Sequence, residues 1–388
     1  MTYRPDLQFV WRAPSRVTFG PGRLSRLGKE ARGLGATRAM LVTDPFMAAS
    51  GVAGRAADSL RAEGIEVLVF DGVESDPSTE VVDAGVAAAR EFDPDLFVGL
   101  GGGSAMDAAK LIDLLLVAGG TLADHLTPNS AGALRPIIAI PTTAGTGSET
   151  SFAAVISEHA SRRKIPLVQA AFTPVLAILD PELTVSLPAR LSAATGMDAV
   201  AHALDVIHST RRQPFNDALA HHVLRVARRH LRRAAEDPGD LVARGQMLAA
   251  ACSMGFSLST TPYGVIHALA HPLGAHFGLH HGVCVALLSP PGLRWNLATC
   301  APVYAEAARA AGLAADSASD ESAAGALVEG IESLLADLGL PRRLTEVGVG
   351  AGALAALATD ALADTGAAFN LRRPGGAGEL EEVYRTVL

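Results

Sequence analysis

Short runs of β-branched and apolar residues alternate with alanine-rich amphipathic stretches through the first half of the chain. Ala39-Met-Leu-Val-Thr43 reads as a buried strand and Val52 to Glu63 as a helix. Glu66-Val-Leu-Val-Phe70 is the next strand, and Thr79 to Glu91 the next helix. Asp95-Leu-Phe-Val-Gly-Leu100 forms a third strand, followed at once by glycines and a helix from about Ala105 to Val117. Arg135-Pro-Ile-Ile-Ala-Ile140 is a fourth strand. Alternation of this kind predicts a parallel sheet covered by helices on both faces. Val155-Ile156 and Val175-Leu-Ala-Ile-Leu179 look extended, as a hairpin and a last sheet strand.

Past Leu187-Pro188 the pattern changes to alanine, leucine and helical periodicity, with few β-branched runs. Pro188 suits the first position of a helix and marks a boundary. A chain of 388 residues exceeds one ordinary core. The expectation is two domains, an α/β domain over 1–187 and an all-α domain over 188–388. The Gly/Ala-rich stretch from Gly348 to Gly378 keeps Leu354, Leu357, Leu362 and Phe369, which fits packed helices.

Composition narrows the class of partner. A net charge of −8 argues against nucleic acid, since no basic stripe offsets phosphate repulsion. The run from Arg225 to Arg233 spreads its charge around a helix and reads as a solvated face. Cys252, Cys284 and Cys300 are odd in number and lack a CxxC spacing, as expected of reduced thiols in a cytoplasmic protein. No signal-peptide pattern follows Met1, and apolar runs such as Leu111 to Val117 fall short of a membrane span. Cytoplasmic localisation, with no membrane partner, is the expectation. Only Lys29, Lys110 and Lys164 are lysines, so each is worth locating.

Two loops carry cofactor signals. Gly99-Leu-Gly-Gly-Gly-Ser104 lies between a strand and a helix. Glycines there let backbone N–H groups approach a phosphate, and the helix N-terminus adds its dipole. The run is a degenerate fingerprint, because Ser104 replaces the last glycine of GxGxxG. Pro141 to Ser151 follows the next strand with six hydroxyl side chains and two glycines. That position is where open α/β sheets bind ligands, and the hydroxyls can hydrogen-bond a diphosphate or a carboxamide. Asp44, at the end of the first strand, is either a ribose acceptor that would repel a 2′-phosphate or a simple helix cap.

The second half carries metal chemistry. Five of the twelve histidines fall between His267 and His281. His267 and His271 are four apart, as are Asp198 and His202, so each pair shares one face of a helix. Asp198, His202, His267 and His281 offer one carboxylate and three imidazoles, a set suited to Fe²⁺ or Zn²⁺. His208, His221, His222 and His230 read as packed or hydrogen-bonded, and His276 and His280 as lining or surface residues. A metal-dependent hydrolase could use such a site, but it would not need the glycine turn and the Thr/Ser loop. A nucleotide-binding sensor would have no use for four metal ligands.

The chain resembles the iron-containing (group III) alcohol dehydrogenase family. The resemblance rests on Gly101-Gly-Gly-Ser-Ala-Met-Asp-Ala-Ala-Lys110, Pro141 to Ser151, Gly196-Met-Asp-Ala-Val-Ala-His202 and His267-Ala-Leu-Ala-His-Pro-Leu-Gly274 with His281-Gly282. It runs from Val17-Thr-Phe-Gly-Pro-Gly22 to at least Gly348. It implies a Rossmann-like NAD-binding domain and an all-helical domain in a dehydroquinate synthase-like architecture, with the metal in the cleft between them. It also implies Asp198, His202, His267 and His281 as metal ligands, and His271 as the candidate catalytic residue near the nicotinamide and substrate. Gly101, Gly102, Gly103, Ser104 and Asp107 would serve the pyrophosphate region, and Thr142, Thr143 and Thr146 the rest of the cofactor. Lys164, Leu183 and Asp76 fall where further cofactor contacts are expected, and Asp44 where a carboxylate goes with NAD over NADP.

Asp205 stands where members usually carry glutamate, Ile207-His208 replaces a commoner aromatic pattern, and Asp76 replaces a more usual asparagine. None of these departures is expected to touch a metal ligand. Thr260-Thr-Pro-Tyr263 is atypical and is expected near the substrate. The implied reaction is NAD(H)-linked interconversion of a small alcohol and its aldehyde or ketone, in a homodimer or larger homo-oligomer. Maleylacetate reductase and phosphonate-aldehyde reductase activities belong to the same wider family.

Overall fold

The computed structural model of the protein describes residues 7–75, 77–158 and 163–388. It forms two compact units, one of Ala13–Ser186 and one of Leu187–Leu388 together with the described residues up to Arg12. The first holds strands β1 Arg16–Phe19, β2 Arg38–Val42, β3 Glu66–Phe70, β4 Leu96–Gly101, β5 Ile137–Pro141, β6 Ala153–Glu158, β7 Arg163–Val168 and β8 Leu176–Leu179. Its helices are α1 Leu27–Gly33, α2 Pro45–Ala49, α3 Val52–Arg61, α4 Thr79–Phe92 and α5 Gly103–Ala118.

Six strands form one parallel sheet in the order β1-β8-β5-β4-β2-β3. Strands β6 and β7 make a separate antiparallel hairpin, and β8 is the late strand of the sheet. Strands β4 and β5 are buried along their whole length, which is why they read as continuous apolar runs. The side-chain period of two sends Ala39 and Leu41 into a core with α1 and α3, while Met40 and Val42 enter a core with α4 and α5. Helix α5 is buried on nearly every side from Ala105 to Leu115, as a helix apolar all round should be. Its buried Asp113 is balanced by Arg135, which donates from the backbone and the guanidinium at 2.8 and 2.9 Å.

The second unit is helical: α6 Ala189–Ile207, α7 Pro214–Glu236, α8 Leu241–Leu258, α9 Val265–Phe277, α10 His281–Ala311, α11 Asp320–Asp337, α12 Leu354–Ala363, α13 Thr365–Phe369 and α14 Ala377–Arg385. Helix α6 packs against α7, α8, α9 and α10 and is buried from Ser192 to Ile207. Proline precedes it at its N-cap, consistent with the helix start expected there. The described part of the Gly/Ala-rich tail is packed, with Leu354 and Leu357 buried. Among the described residues, no helix is long and apolar enough to cross a membrane.

Candidate active site

In the first unit, β2 pairs with β3 on one side and with β4 on the other. The connections leaving β2 and β4 therefore diverge, and their carboxyl ends flank the topological switch point where open α/β sheets take ligands. Asp44 follows β2, and the glycine turn follows β4. Thr43 ties the two by donating its hydroxyl to the Leu100 carbonyl at 2.7 Å.

Gly101 has φ of 147°, a conformation that favours glycine. A Cβ there would stand 2.9 Å from Ala105 Cβ and 3.0 Å from Asp44 Oδ2, and one on Gly103 would stand 2.8 Å from Thr146 Cγ2. The Thr142 N–H donates to the Gly101 carbonyl at 2.9 Å, and the Thr143 side chain lies against Gly102. The glycine turn and the hydroxyl loop are thus one cradle. No side chain caps α5, whose N-cap is Gly102. First-turn N–H groups of such a helix end are donors for a phosphate.

Asp44 fits both of its readings. Its Oδ1 accepts from the Met47 N–H at 2.9 Å and caps α2, while its Oδ2 faces the glycine turn. Asp107 is engaged internally: it accepts from the Ser148 hydroxyl, and from the Val155 N–H at 2.9 Å. Lys110 is fully buried and donates to Ser148 Oγ and to the Ser148 and Ala153 carbonyls, each at 2.8 Å. Burial holds its pKa below the usual lysine range against the pull of Asp107. Asp107 and Lys110 therefore brace the loop that carries Thr142, Thr143 and Thr146. Leu183 packs in the core, and Lys164 lies in β7. Asp76 and the side chain of Lys164 lie outside the described residues.

In the second unit, α6, α9 and the start of α10 bring Asp198, His267 and His281 together, with one ligand atom of each within 4.8 Å of the others. Asp198 Oδ1 is 3.4 Å from His281 Nε2, 3.5 Å from His267 Nε2 and 3.9 Å from His202 Nε2. His202 stands at the edge of this cluster, its ring stacked on that of His267 with centroids 4.5 Å apart. Gly282 makes the approach of α10 feasible: a Cβ there would lie 2.4 Å from the Ala194 carbonyl oxygen on α6.

The donor set fits a divalent cation. Asp198 Oδ1 and His267 Nε2 are buried and face each other without a hydrogen bond. Unsatisfied groups of that kind cost stability unless an ion uses them. Burial alone would raise the Asp198 pKa, yet the charges of His202 and His281 and its contact with His267 hold it well below the carboxylate range. Burial likewise opposes the charge on His267, but Asp198 and Asp205 raise its pKa to about 9. The pocket favours positive charge, which a bound divalent ion supplies.

Asp205 corrects one expectation. It touches a candidate ligand directly: His267 Nδ1 lies 2.7 Å from Asp205 Oδ2. An ionised carboxylate only accepts, so Nδ1 carries a proton toward Asp205 and Nε2 is the atom that a cation beside Asp198 would engage. The same carboxylate accepts from the Ile266 and His267 N–H groups at 3.2 Å, satisfying the start of α9. The signal was present in the spacing, because 198, 202 and 205 form one i, i+4, i+7 stripe.

His271 lies one turn past His267 and is half-buried. Its Nδ1 is 2.7 Å from Asp364 Oδ2, and its ring stacks on His281 with centroids 5.5 Å apart. Asp364 also caps α13 through the Gly366 N–H at 2.8 Å. Sequence reasoning did not find Asp364, which is 93 residues from its partner. Tyr263 packs at 5.4 Å from the His267 ring and 5.2 Å from the His271 ring, measured between centroids. His276 bonds Asp360 at 2.6 Å on the surface, and His280 is exposed.

Comparison with known proteins shows the family to which the chain belongs. The family model for iron-containing alcohol dehydrogenase matches residues 14–181, and that for the Fe-containing alcohol dehydrogenase family C-terminal domain matches residues 192–387. The chain is 35% identical over 388 residues to the 1,3-propanediol dehydrogenase of Citrobacter freundii, covering 99% of each. It is 33% identical over 352 residues to the NAD-dependent methanol dehydrogenase of Bacillus methanolicus, covering 90% of this chain and 92% of that one. A crystal structure of 1,3-propanediol oxidoreductase superposes with a TM-score of 0.95 at 34% identity, covering 98% of this chain and 100% of that one.

Proposed function

The chain belongs to the iron-containing alcohol dehydrogenase family, and we propose that its substrate is a small primary alcohol or diol with the corresponding aldehyde. It is an NAD-linked oxidoreductase with the dehydroquinate synthase-like fold, and iron is the family's metal. The observation that carries the metal-dependent reading is the Asp198–His267–His281 cluster, in which Asp198 and His267 are buried with an unsatisfied oxygen and nitrogen.

In this reading Asp198, His202, His267 and His281 hold Fe²⁺, with Zn²⁺ the alternative ion. When bound, the ion would supply Lewis-acid polarisation of the substrate oxygen and the nicotinamide would supply the hydride acceptor. Gly101, Gly102, Gly103 and Ser104 receive the pyrophosphate at the start of α5, and Thr142, Thr143 and Thr146 wall the cradle. Asp44 accepts from the ribose through Oδ2, favouring NAD over NADP. Asp107 acts through the loop it braces. Asp76, Lys164 and Leu183 are proposed as outer cofactor contacts. Asp364 holds the His271 proton on Nδ1, leaving Nε2 to take or return the proton of the substrate hydroxyl. Tyr263 covers one side of both imidazoles and limits the bulk of what can approach.

We assign residues 1–187 to NAD binding and 188–388 to metal binding, in a cytoplasmic homodimer or larger homo-oligomer. The Citrobacter and Bacillus relatives, named for 1,3-propanediol and methanol, support short alcohols over maleylacetate or phosphonate-linked aldehydes. The test is oxidation of an alcohol panel by NAD⁺ and by NADP⁺, with anaerobically purified protein before and after chelation. Activity on short alcohols that is lost on chelation and restored by Fe²⁺ is expected. Substantial turnover only of a bulky or anionic substrate would overturn the proposed class.

A further inference from the structure

Beyond the candidate ligands, the helical unit buries a chain of polar side chains that the proposed chemistry does not use. His208, at the C-cap of α6, and Tyr304, on α10, are both fully buried, as is Asp205. His208 Nε2 lies 2.6 Å from Asp205 Oδ1, and His208 Nδ1 lies 2.8 Å from the Tyr304 hydroxyl. Asp205 Oδ2 in turn meets His267 Nδ1 at 2.7 Å. We propose that His208 is a positioning residue of the metal site, fixing through Asp205 the tautomer and orientation in which His267 presents Nε2. The inference rests on the reading of His267 as a metal ligand.

The direction of every proton in this chain is set by its middle member. A carboxylate accepts and cannot donate, so both imidazoles must point N–H groups at Asp205. The His208 proton is then on Nε2, and its Nδ1 accepts from the Tyr304 hydroxyl, which needs a partner when buried. With the Ile266 and His267 N–H groups added, four donors converge on Asp205. Two of those donors, the imidazoles, leave the carboxylate no freedom to rotate away from His267.

The surroundings are built to admit His208. A Cβ on Gly264 would stand 2.7 Å from His208 Nε2 and 3.0 Å from Asp205 Oδ1, so the N-cap of α9 is bare where the imidazole lies. The end of α6 is also fastened: the Leu371 N–H donates to the His208 carbonyl at 2.8 Å, and Ser209 pairs with Asn370. Asn370 accepts from the Val265 N–H at 3.3 Å, so the first three N–H groups of α9 are taken by side chains from elsewhere in the unit. Burying a histidine and a tyrosine only to fill space would be costly where leucine and phenylalanine would pack. Orienting a metal ligand gives the polar pair a use.

The test uses the full chain stripped of metal and titrated with Zn²⁺ against a competing chelator, which avoids iron oxidation. Unaltered protein is expected to bind one Zn²⁺ at this site, and Asp198→Ala to lose it. Asp205→Asn should weaken binding by about 10–100-fold, because an amide N–H aimed at Nδ1 moves the His267 proton to Nε2. His208→Leu should weaken it about tenfold, and His208→Gln, which keeps a donor, should recover part of that loss. A ¹⁵N spectrum of metal-free protein, recorded above about pH 9 where His267 is neutral, should show its remaining proton on Nδ1 in the unaltered chain and on Nε2 in Asp205→Asn. Zn²⁺ affinity unchanged by Asp198→Ala would overturn the ligand assignment and this inference with it. Affinity lost in Asp198→Ala but unchanged in both His208 variants, even with a lower melting temperature, would overturn this inference alone.

Discussion

Gly282→Ala tests how closely the metal site depends on the contact between α6 and α10. The added Cβ would lie 2.4 Å from the Ala194 carbonyl oxygen, 2.6 Å from its carbon and 3.2 Å from the Thr195 nitrogen. All three are backbone atoms of a buried helix and cannot turn aside. Restoring ordinary contact requires the first turn of α10 to retreat by about 1 Å, whereas metal–ligand distances tolerate only about 0.2 Å. His281, the adjacent residue, retreats with it. Alanine improves helix propensity by at most about 1 kcal/mol, and overpacking costs about 1–3 kcal/mol. If the strain is relieved whenever His281 leaves the ion, affinity falls by roughly 5–150-fold, at 1.4 kcal/mol per factor of ten. The assay is Zn²⁺ titration against a competing chelator, with Gly325→Ala as control because nothing lies within 4 Å of a Cβ there. Equal affinities for Gly282→Ala and the control would refute the reasoning.

Other consequences follow from the same geometry. His271→Ala is expected to slow turnover by about 100-fold or more while metal content, measured by elemental analysis, stays at the unaltered level; full turnover at every pH would remove His271 from the chemistry. Asp44→Ser keeps a side-chain cap for the Met47 N–H but loses the carboxylate, so the KM for NADH should rise about tenfold and NADPH should gain ground. An unchanged cofactor preference would leave Asp44 as a helix cap alone. His267 has a folded pKa of about 9, above its ordinary 6.5. A raised pKa contributes stability that is complete below 6.5 and lost as pH climbs through about 9. Chelated protein should therefore melt at lower temperature as pH rises across that window, while zinc-loaded protein should not. A flat melting profile for the chelated chain would contradict the assignment.

The alternation of strands and helices was legible because both periods are local properties of the chain. Helix α4 was expected over Thr79 to Glu91 and spans Thr79–Phe92. Strand β3 falls where its apolar run predicted, at Glu66–Phe70. The hairpin and the late sheet strand were also readable from extended, apolar composition. Strand β1, Arg16–Phe19, was not read as a strand. Its pattern is mostly exposed, so it carries neither the continuous apolar run of a central strand nor a clean alternation.

By itself the amino-acid sequence determined which chemistry was available: a phosphate turn, a hydroxyl loop, a carboxylate with histidines at helical spacing, and the family that combines them. Tertiary structure alone decided which of those groups meet. Asp198 and His202 share one helix turn by local geometry, but His267 and His281 reach Asp198 only because α9 and α10 pack against α6. The Gly282 approach to Ala194 and the Asp364 bond to His271 join positions 88 and 93 residues apart, and no local period encodes such pairs. Asp205 lies between these cases. Its place on the Asp198 stripe was written in the spacing, but its carboxylate became part of the site only when the N-terminus of α9 came to rest on it.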